Sequence, residues 1–170
     1  MNTFNNIIIV SNEDKSRGPM AAAILGSLLK DRGFIIESRG LVVLFPEPYN
    51  PIAIDMGKDK GMNLQSTFSR QLEESDFGMN TLVLTMDEQQ KEKIYAKYPS
   101  ARNVFTVCEF AGETDKTLSN PYGKGEAAYR ECFDELYGVV FKAADVLLGE
   151  GKTMQVKNST GGNVNDDSDR

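Results

Sequence analysis

Ile7-Ile-Ile-Val10-Ser-Asn-Glu-Asp-Lys-Ser-Arg17-Gly-Pro-Met20 joins an apolar run to the start of a helix through a short polar link. Its first four residues are all β-branched, the composition of a short parallel strand buried on both faces. Pro19 suits a first helical turn, and Ala21, Ile24, Leu25, Leu28 and Leu29 then fall on one helical face. Gly33 ends that helix as a C′ glycine would. Strand and helix signals alternate outward from this unit. Phe34–Ile36 reads as a second strand, and Asn50-Pro51 opens a helix to about Lys60, stopped by Gly61. Thr81–Thr85 reads as a third strand, Asp87 to Lys97 as a charged helix, and Asn103–Val107 as a fourth strand. Tyr129, Phe133, Leu136, Val140, Ala143 and Leu147 recur at helical spacing and predict a long closing helix. The alternation predicts an α/β fold: a three-layer open sandwich around a central four-stranded parallel sheet. In such sheets ligands bind beyond the carboxyl ends of the strands, which directs attention to the link after Val10.

With 170 residues the chain has room for one domain. The expected division is a domain over residues 1–150 and a polar, disordered tail over 151–170, rich in Gly, Asn, Ser and Asp. Asp and Glu outnumber Lys and Arg 25 to 19, with no basic block, which argues against nucleic acid or an anionic membrane as partner. No apolar stretch approaches the roughly 20 residues of a membrane span, and the first ten residues lack a basic leader, so the cytoplasm is expected. Two separated cysteines, Cys108 and Cys132, exclude a disulfide framework or a Cys-rich zinc site. Cys132 lies beside the apolar seam of the last helix and reads as a small buried residue. Histidine is absent, which removes Ser-His and Cys-His couples and histidine-bound metals; no metal and no cofactor are expected.

The link itself has one chemical asset. A loop between a strand and a helix N-terminus can turn several backbone N–H groups toward one anion, and the Arg17 guanidinium matches two phosphate oxygens. Against this, the loop lacks the glycines that phosphate loops carry, and a plain connection with a surface arginine is the competing reading.

The pattern Ile-Val-Ser-x5-Arg17-Gly-Pro-Met-Ala resembles the N-terminal signature of the low-molecular-weight protein tyrosine phosphatases, whose strand ends in Val-Cys before x-Gly-Asn-x-Cys-Arg-Ser-Pro-Met. Ser38-Arg-Gly-Leu41, Asn50-Pro51 with Ala53, Ser69-Arg-Gln-Leu72, Val83-Leu-Thr-Met86 and Asn120-Pro-Tyr-Gly123 continue the likeness over about residues 6 to 148. The resemblance implies the family's fold and places its helix start at Ser69–Leu72. It also implies a thiolate nucleophile at the loop start, an arginine clamping the phosphoryl oxygens, and an aspartic acid before proline that protonates the leaving oxygen. Carried over by position, the nucleophile falls on Ser11, the loop glycine on Glu13 and the loop asparagine on Asp14. The arginine is Arg17, the serine after it is Gly18, and the acid is Asn120. The candidate catalytic positions are therefore Ser11, Arg17 and Asn120, and the candidate ligand contacts are Asn12, Glu13, Asp14, Lys15, Ser16, Arg17 and Tyr122.

Two substitutions remove chemistry. A serine hydroxyl stays protonated near neutral pH, and losing an essential nucleophile costs about 10⁶ in turnover. Asparagine has no proton to give, and losing a general acid removes about 10²–10⁴ more. Glu113 and Asp115, in the same loop, are candidate replacements, although both precede the proline position by several residues. A carboxylate about 4 Å from phosphate opposes binding by up to roughly 4 kcal/mol at an effective dielectric near 20, so Glu13 and Asp14 work against an anion. Glu13 also conflicts with the family's backbone if its site needs φ > 0. These residues describe a phosphatase-like protein that is catalytically inactive and has a binding or regulatory role. The partner expected at loop 11–17 is a phosphorylated protein or a small anion. The alternative is weak hydrolysis of phosphotyrosine or aryl phosphate, using Arg17 and a non-cysteine nucleophile. Arg17 alternatively pairs internally with Asp14 or Glu13, and Tyr122 and Phe45 are candidates for an aromatic pocket wall.

Overall fold

The computed structural model describes residues 3–64 and 68–159. Strands β1 (Asn6–Ser11), β2 (Ile35–Gly40), β3 (Thr81–Thr85) and β4 (Val104–Thr106) form one parallel sheet in the order β2-β1-β3-β4. Helices α1 (Arg17–Leu28), α2 (Pro51–Asp59), α3 (Glu88–Lys97), the single turn α4 (Val107–Phe110) and α5 (Glu126–Ser159) connect and follow the strands.

The period-two alternation of β1 assigns its side chains to two cores. Ile7 and Ile9, with Leu82 and Leu84 of β3, pack against Ile24 and Leu25 of α1 and Phe133, Leu136 and Val140 of α5. Ile8 and Val10, with Val83 and Val104, face the opposite side and meet Ile94 and Tyr98 on the α3 side. Burying each such side chain contributes about 1.5–3 kcal/mol, and having both faces covered explains why β1 is apolar without a break from Ile7 to Val10. The three layers and the four-stranded parallel sheet match the architecture expected from the sequence.

Strand order also locates the site. The chain leaves β1 for β2 on one side and later returns to β3 on the other, so the sheet's switch point lies at the carboxyl end of β1. Ser11 is the last residue of that strand and Arg17 the first of α1.

Three segments differ from expectation. The second strand continues through Glu37, Ser38 and Arg39 to Gly40; β2 is an edge strand, so apolar patterning reveals only part of it. No helix starts at Ser69–Leu72. That segment is extended beside β2: the Gly40 N–H donates to Arg70 O at 2.7 Å, and the Leu72 N–H donates to Gly40 O at 2.9 Å. Gln71 fixes it further by accepting from the Val43 N–H and donating to Leu41 O, both at 2.7 Å. A 3₁₀ turn follows only at Glu74–Asp76. Helix α5 runs to Ser159, so residues 151–159 of the expected tail are helical, while 160–170 lie outside the described residues. Once nucleated on its apolar seam, a helix propagates at the cost of one residue's freedom per hydrogen bond. No described helix is long and apolar enough to cross a membrane.

Candidate functional site

Loop 12–16 is pinned from three sides. Ser11 O accepts from the Leu41 N–H at 3.0 Å and Asn12 O from the Val42 N–H at 3.1 Å, extending the β1–β2 pairing. The Asn50 N–H, before α2, donates to Lys15 O at 2.9 Å. Gln90 of α3 donates through Nε2 to Asn12 Oδ1 at 3.0 Å. The loop crosses directly over Gly40, where a Cβ would stand 2.9 Å from the Glu13 carbonyl carbon. Only glycine admits that approach.

The left-handed residue in the loop is Asp14, with φ 57°, and not Glu13. Aspartate tolerates that conformation, so the glutamate in the glycine position does not distort the chain. Asp14, expected as a ligand contact, does not line the cavity beside the loop. It is fully buried on the far side of the loop, and its Oδ2 accepts from the Arg70 N–H at 2.9 Å. Burial pushes its carboxyl up to about 6, against the lowering effect of the Ser38 hydroxyl, the Arg70 N–H and the guanidiniums of Arg39 and Arg70.

The remaining candidates line one cavity of about 390 Å³. Ser11, Asn12, Glu13, Lys15, Ser16 and Arg17 contribute from the loop, and Asn120 and Tyr122 from the segment before α5. Asn50 completes the lining and was read in the sequence only as a helix start. It accepts from the Ile52 N–H as the α2 cap and donates to the Tyr129 hydroxyl at 3.1 Å, which ties α2, α5 and the loop together. Its signal was the Asn-Pro helix start, which shows a cap but not what the cap faces. Phe45 is as exposed as Tyr122, at 77%, and lies outside the cavity lining, so only Tyr122 provides an aromatic wall. Glu113 pairs with Lys142 and Lys116 and does not line the cavity; neither does Asp115.

Arg17 is 8% exposed and makes no ion pair among the described residues, contrary to the expected internal bridge to Asp14 or Glu13. Its one hydrogen bond is a long donation to Ser119 O at 3.5 Å. Burial lowers its pKa, yet a guanidinium remains charged at any ordinary pH. The buried Cys132 thiol, pushed up to about 11 by burial against the pull of Arg17, is neutral and contributes no counter-charge. Lys15 is paired with Glu47 and lies 3.9 Å from Glu13, which neutralises much of the loop's outer charge. Ser11 is 5% exposed, and its Oγ has no hydrogen-bond partner. Gly18 leaves space beside it: a Cβ there would sit 2.6 Å from Ser11 Oγ. Ser16 stands at the α1 N-cap without a side-chain cap bond, so its hydroxyl does not occupy the first-turn N–H groups. The cavity therefore combines a buried cation with Asp87 near it but not in ion-pair contact, a helix N-terminus and, at its floor, a buried hydroxyl without a hydrogen-bond partner among the described residues, an arrangement suited to an oxyanion.

This arrangement on a β2-β1-β3-β4 sheet defines a class, and the chain belongs to it: the low molecular weight phosphotyrosine protein phosphatase model matches residues 6–150. Among its relatives, the low molecular weight protein-tyrosine-phosphatase PtpB of Staphylococcus aureus is 26% identical over 83% of this chain and 98% of its own length. A protein-arginine-phosphatase of Geobacillus stearothermophilus is 29% identical over 85% of this chain and 97% of its own length. The solved YwlE arginine phosphatase of that organism superposes with a TM-score of 0.76 at 26% identity, covering 94% of this chain and 98% of the other. A YwlE cysteine-to-serine mutant with a phosphorylated active-site serine superposes at 0.75 and 27% identity, covering 84% and 95%.

Proposed function

We propose that this chain is a pseudophosphatase: a member of its family that binds a phosphate-bearing protein or a small anion at loop 11–17 without turning it over. The observation that carries this reading is the Arg17 guanidinium, buried at the cavity with no carboxylate in ion-pair contact among the described residues, Asp87 acting on it only from farther away. A buried charge without a partner costs several kcal/mol, and an anionic ligand would offset that cost. Asp14, the carboxylate that would most oppose an anion, faces away from the cavity and is partly protonated near pH 6. Glu13 is at the exposed rim, where solvent screens it.

Loss of turnover follows from Ser11 and Asn120. Among the described residues lining the cavity, none is hydrogen-bonded to the Ser11 Oγ as a base that takes its proton would be. Asn120 accepts from the Tyr122 N–H through Oδ1 and has no acidic proton. The ligand class follows the relatives: a phosphorylated tyrosine or arginine side chain on a protein. The second reading, weak aryl phosphate hydrolysis through Ser11, is favoured by the unbonded Ser11 hydroxyl at the cavity.

Titrating inorganic phosphate and phosphotyrosine while following the amide NMR signals of residues 12–18 tests the reading. Saturable shifts that vanish in Arg17→Ala, without release of phenol from an aryl phosphate, are expected. No shifts at millimolar ligand contradict binding, and turnover that depends on Arg17 favours the hydrolase.

A further inference from the structure

We propose that the cleft between α1 and the outer edge of β2 is a second ligand site, for a small aromatic carboxylate or sulfonate. It is separate from the cavity at loop 11–17 and does not rest on the reading of that cavity.

The cleft has a volume of about 670 Å³, against about 390 Å³ at the loop. Small-molecule sites span roughly 300–1,000 Å³. Its origin is local. The side of α1 that lines it carries Ala22, Ala23, Gly26 and Ser27, side chains too short to cover the edge of β2. Met62 and Leu64, which follow α2, line it as well, and with Ile36 and the two alanines they provide apolar surface.

Two cations border that surface: Lys30, just beyond α1, and Arg70, in the segment beside β2. Neither makes an ion pair among the described residues. Asp14, buried behind the anion loop, is the carboxylate near Arg70, and its Oδ2 is engaged by the Arg70 N–H. Arg70 O accepts from the Gly40 N–H, so both backbone groups are held and the base of the side chain is fixed. Glu37 is the one carboxylate among the described residues lining the cleft, and it is already paired with Arg39, which Asp76 also holds.

Backbone donors add to the cations. The N–H groups of Ile35 and Leu41 donate inward to Asn5 and Ser11, whereas that of Gly40 donates outward to Arg70. In a parallel pair this alternation is regular, so the N–H groups of Ile36 and Ser38 share the outward side with Gly40. Among the described residues nothing accepts from either, and both residues line the cleft. In a chain of net charge -6, this cleft is a local reversal of sign. An inorganic ion would leave its apolar surface uncovered, and a neutral arene would bury the cations without a partner. An anion carried on an aromatic ring satisfies both.

The test titrates the full chain with naphthalene-2-sulfonate and follows its amide NMR signals. Saturable shifts at residues 22–27 and 36–39, with one probe per chain, are the expected result. Binding should be at least about tenfold weaker for the neutral naphthalene-2-sulfonamide, and equally so for the sulfonate in the double variant Lys30→Ala, Arg70→Ala. Gly26→Leu should abolish it. A Cβ at Gly26 meets nothing within 4 Å, and replacing a helical glycine favours the helix, so this variant fills the cleft without threatening the fold. Arg17→Ala should bind the probe within about twofold of the unaltered chain. Shifts confined to residues 12–18 and lost in Arg17→Ala would place the probe in the loop cavity and overturn the proposal. Binding that survives Gly26→Leu, equal binding of the sulfonamide, or no shifts at millimolar probe would each overturn it, whatever phosphate does at residues 12–18.

Discussion

Two arginines of this molecule are almost equally buried and have opposite surroundings. Arg39, 5% exposed, donates to Glu37 at 2.6 Å, to Asp76 at 3.3 Å and to Ser38 O at 2.8 Å. Burial opposes its charge, and Asp76 and Glu37 more than offset that, leaving its pKa raised. Arg17, 8% exposed, has one long bond to a carbonyl, and its pKa is lowered by the same burial. Arg39 joins β2 to the 3₁₀ turn at Glu74–Asp76 and is satisfied within the fold. Arg17 stands at the cavity with Asp87 near it but with no carboxylate in ion-pair contact among the described residues. A buried cation is part of the scaffold when its partners are internal, and a receptor when they are missing.

The largest expected effect comes from placing the family pattern's nucleophile and acid beside Arg17. Ser11→Cys combined with Asn120→Asp should raise aryl phosphate turnover by at least about 10⁴-fold over the unaltered chain, measured as phenol release. Unchanged turnover would mean that the loop, and not the two missing groups, disables the site.

Next in size, Arg39→Ala should cost about 3 kcal/mol in urea unfolding, since it strands Asp76 and Glu37. Glu37 is 43% exposed, which keeps the figure at the low end. A loss below about 1 kcal/mol would erase the distinction between the two arginines.

Asp14 supplies a pH test of similar size. Its pKa is raised from 3.8 to about 6 in the fold, so the folded state prefers the protonated acid. Its contribution to stability is full below pH 4 and is lost as pH rises through about 6, by about 2–3 kcal/mol. Asp14→Asn should therefore gain on the unaltered chain between pH 4 and 7, with the difference level above that range. Parallel stability curves for the two proteins would contradict this.

The smallest effect completes the comparison. Arg17→Ala should change stability by less than about 1 kcal/mol, because lost packing and relieved desolvation oppose each other.

Elements with strong periodic signals were readable in the sequence. The β-branched run at 7–10, the strand at 81–85 and the seam from Tyr129 to Leu147 each state their own geometry. Less readable were segments defined by partners distant in sequence. Ser69–Leu72 is extended because Gly40 and Gln71 hold it, and nothing local declares that. The site was recoverable as a set of positions: all the candidate catalytic and ligand-contact residues except Asp14 line one cavity, and of the two candidate wall aromatics Tyr122 does and Phe45 does not. What the sequence lacked was direction. Residue type alone does not show that the left-handed turn falls on Asp14, which buries its carboxylate behind the loop while Glu13 stays at the rim. Asn50 was missed for the same reason, since a helix cap gives no sign of facing a cavity.

The central claim, that Arg17 is an unsatisfied receptor for an anion, is tested most directly by calorimetric titration with inorganic phosphate. The account predicts one-to-one binding to the unaltered chain, weakened at least about tenfold (about 1.4 kcal/mol) in Arg17→Ala and unchanged within about twofold in Arg39→Lys. Equal affinity in the unaltered chain and Arg17→Ala, or no heat at millimolar phosphate, would contradict it.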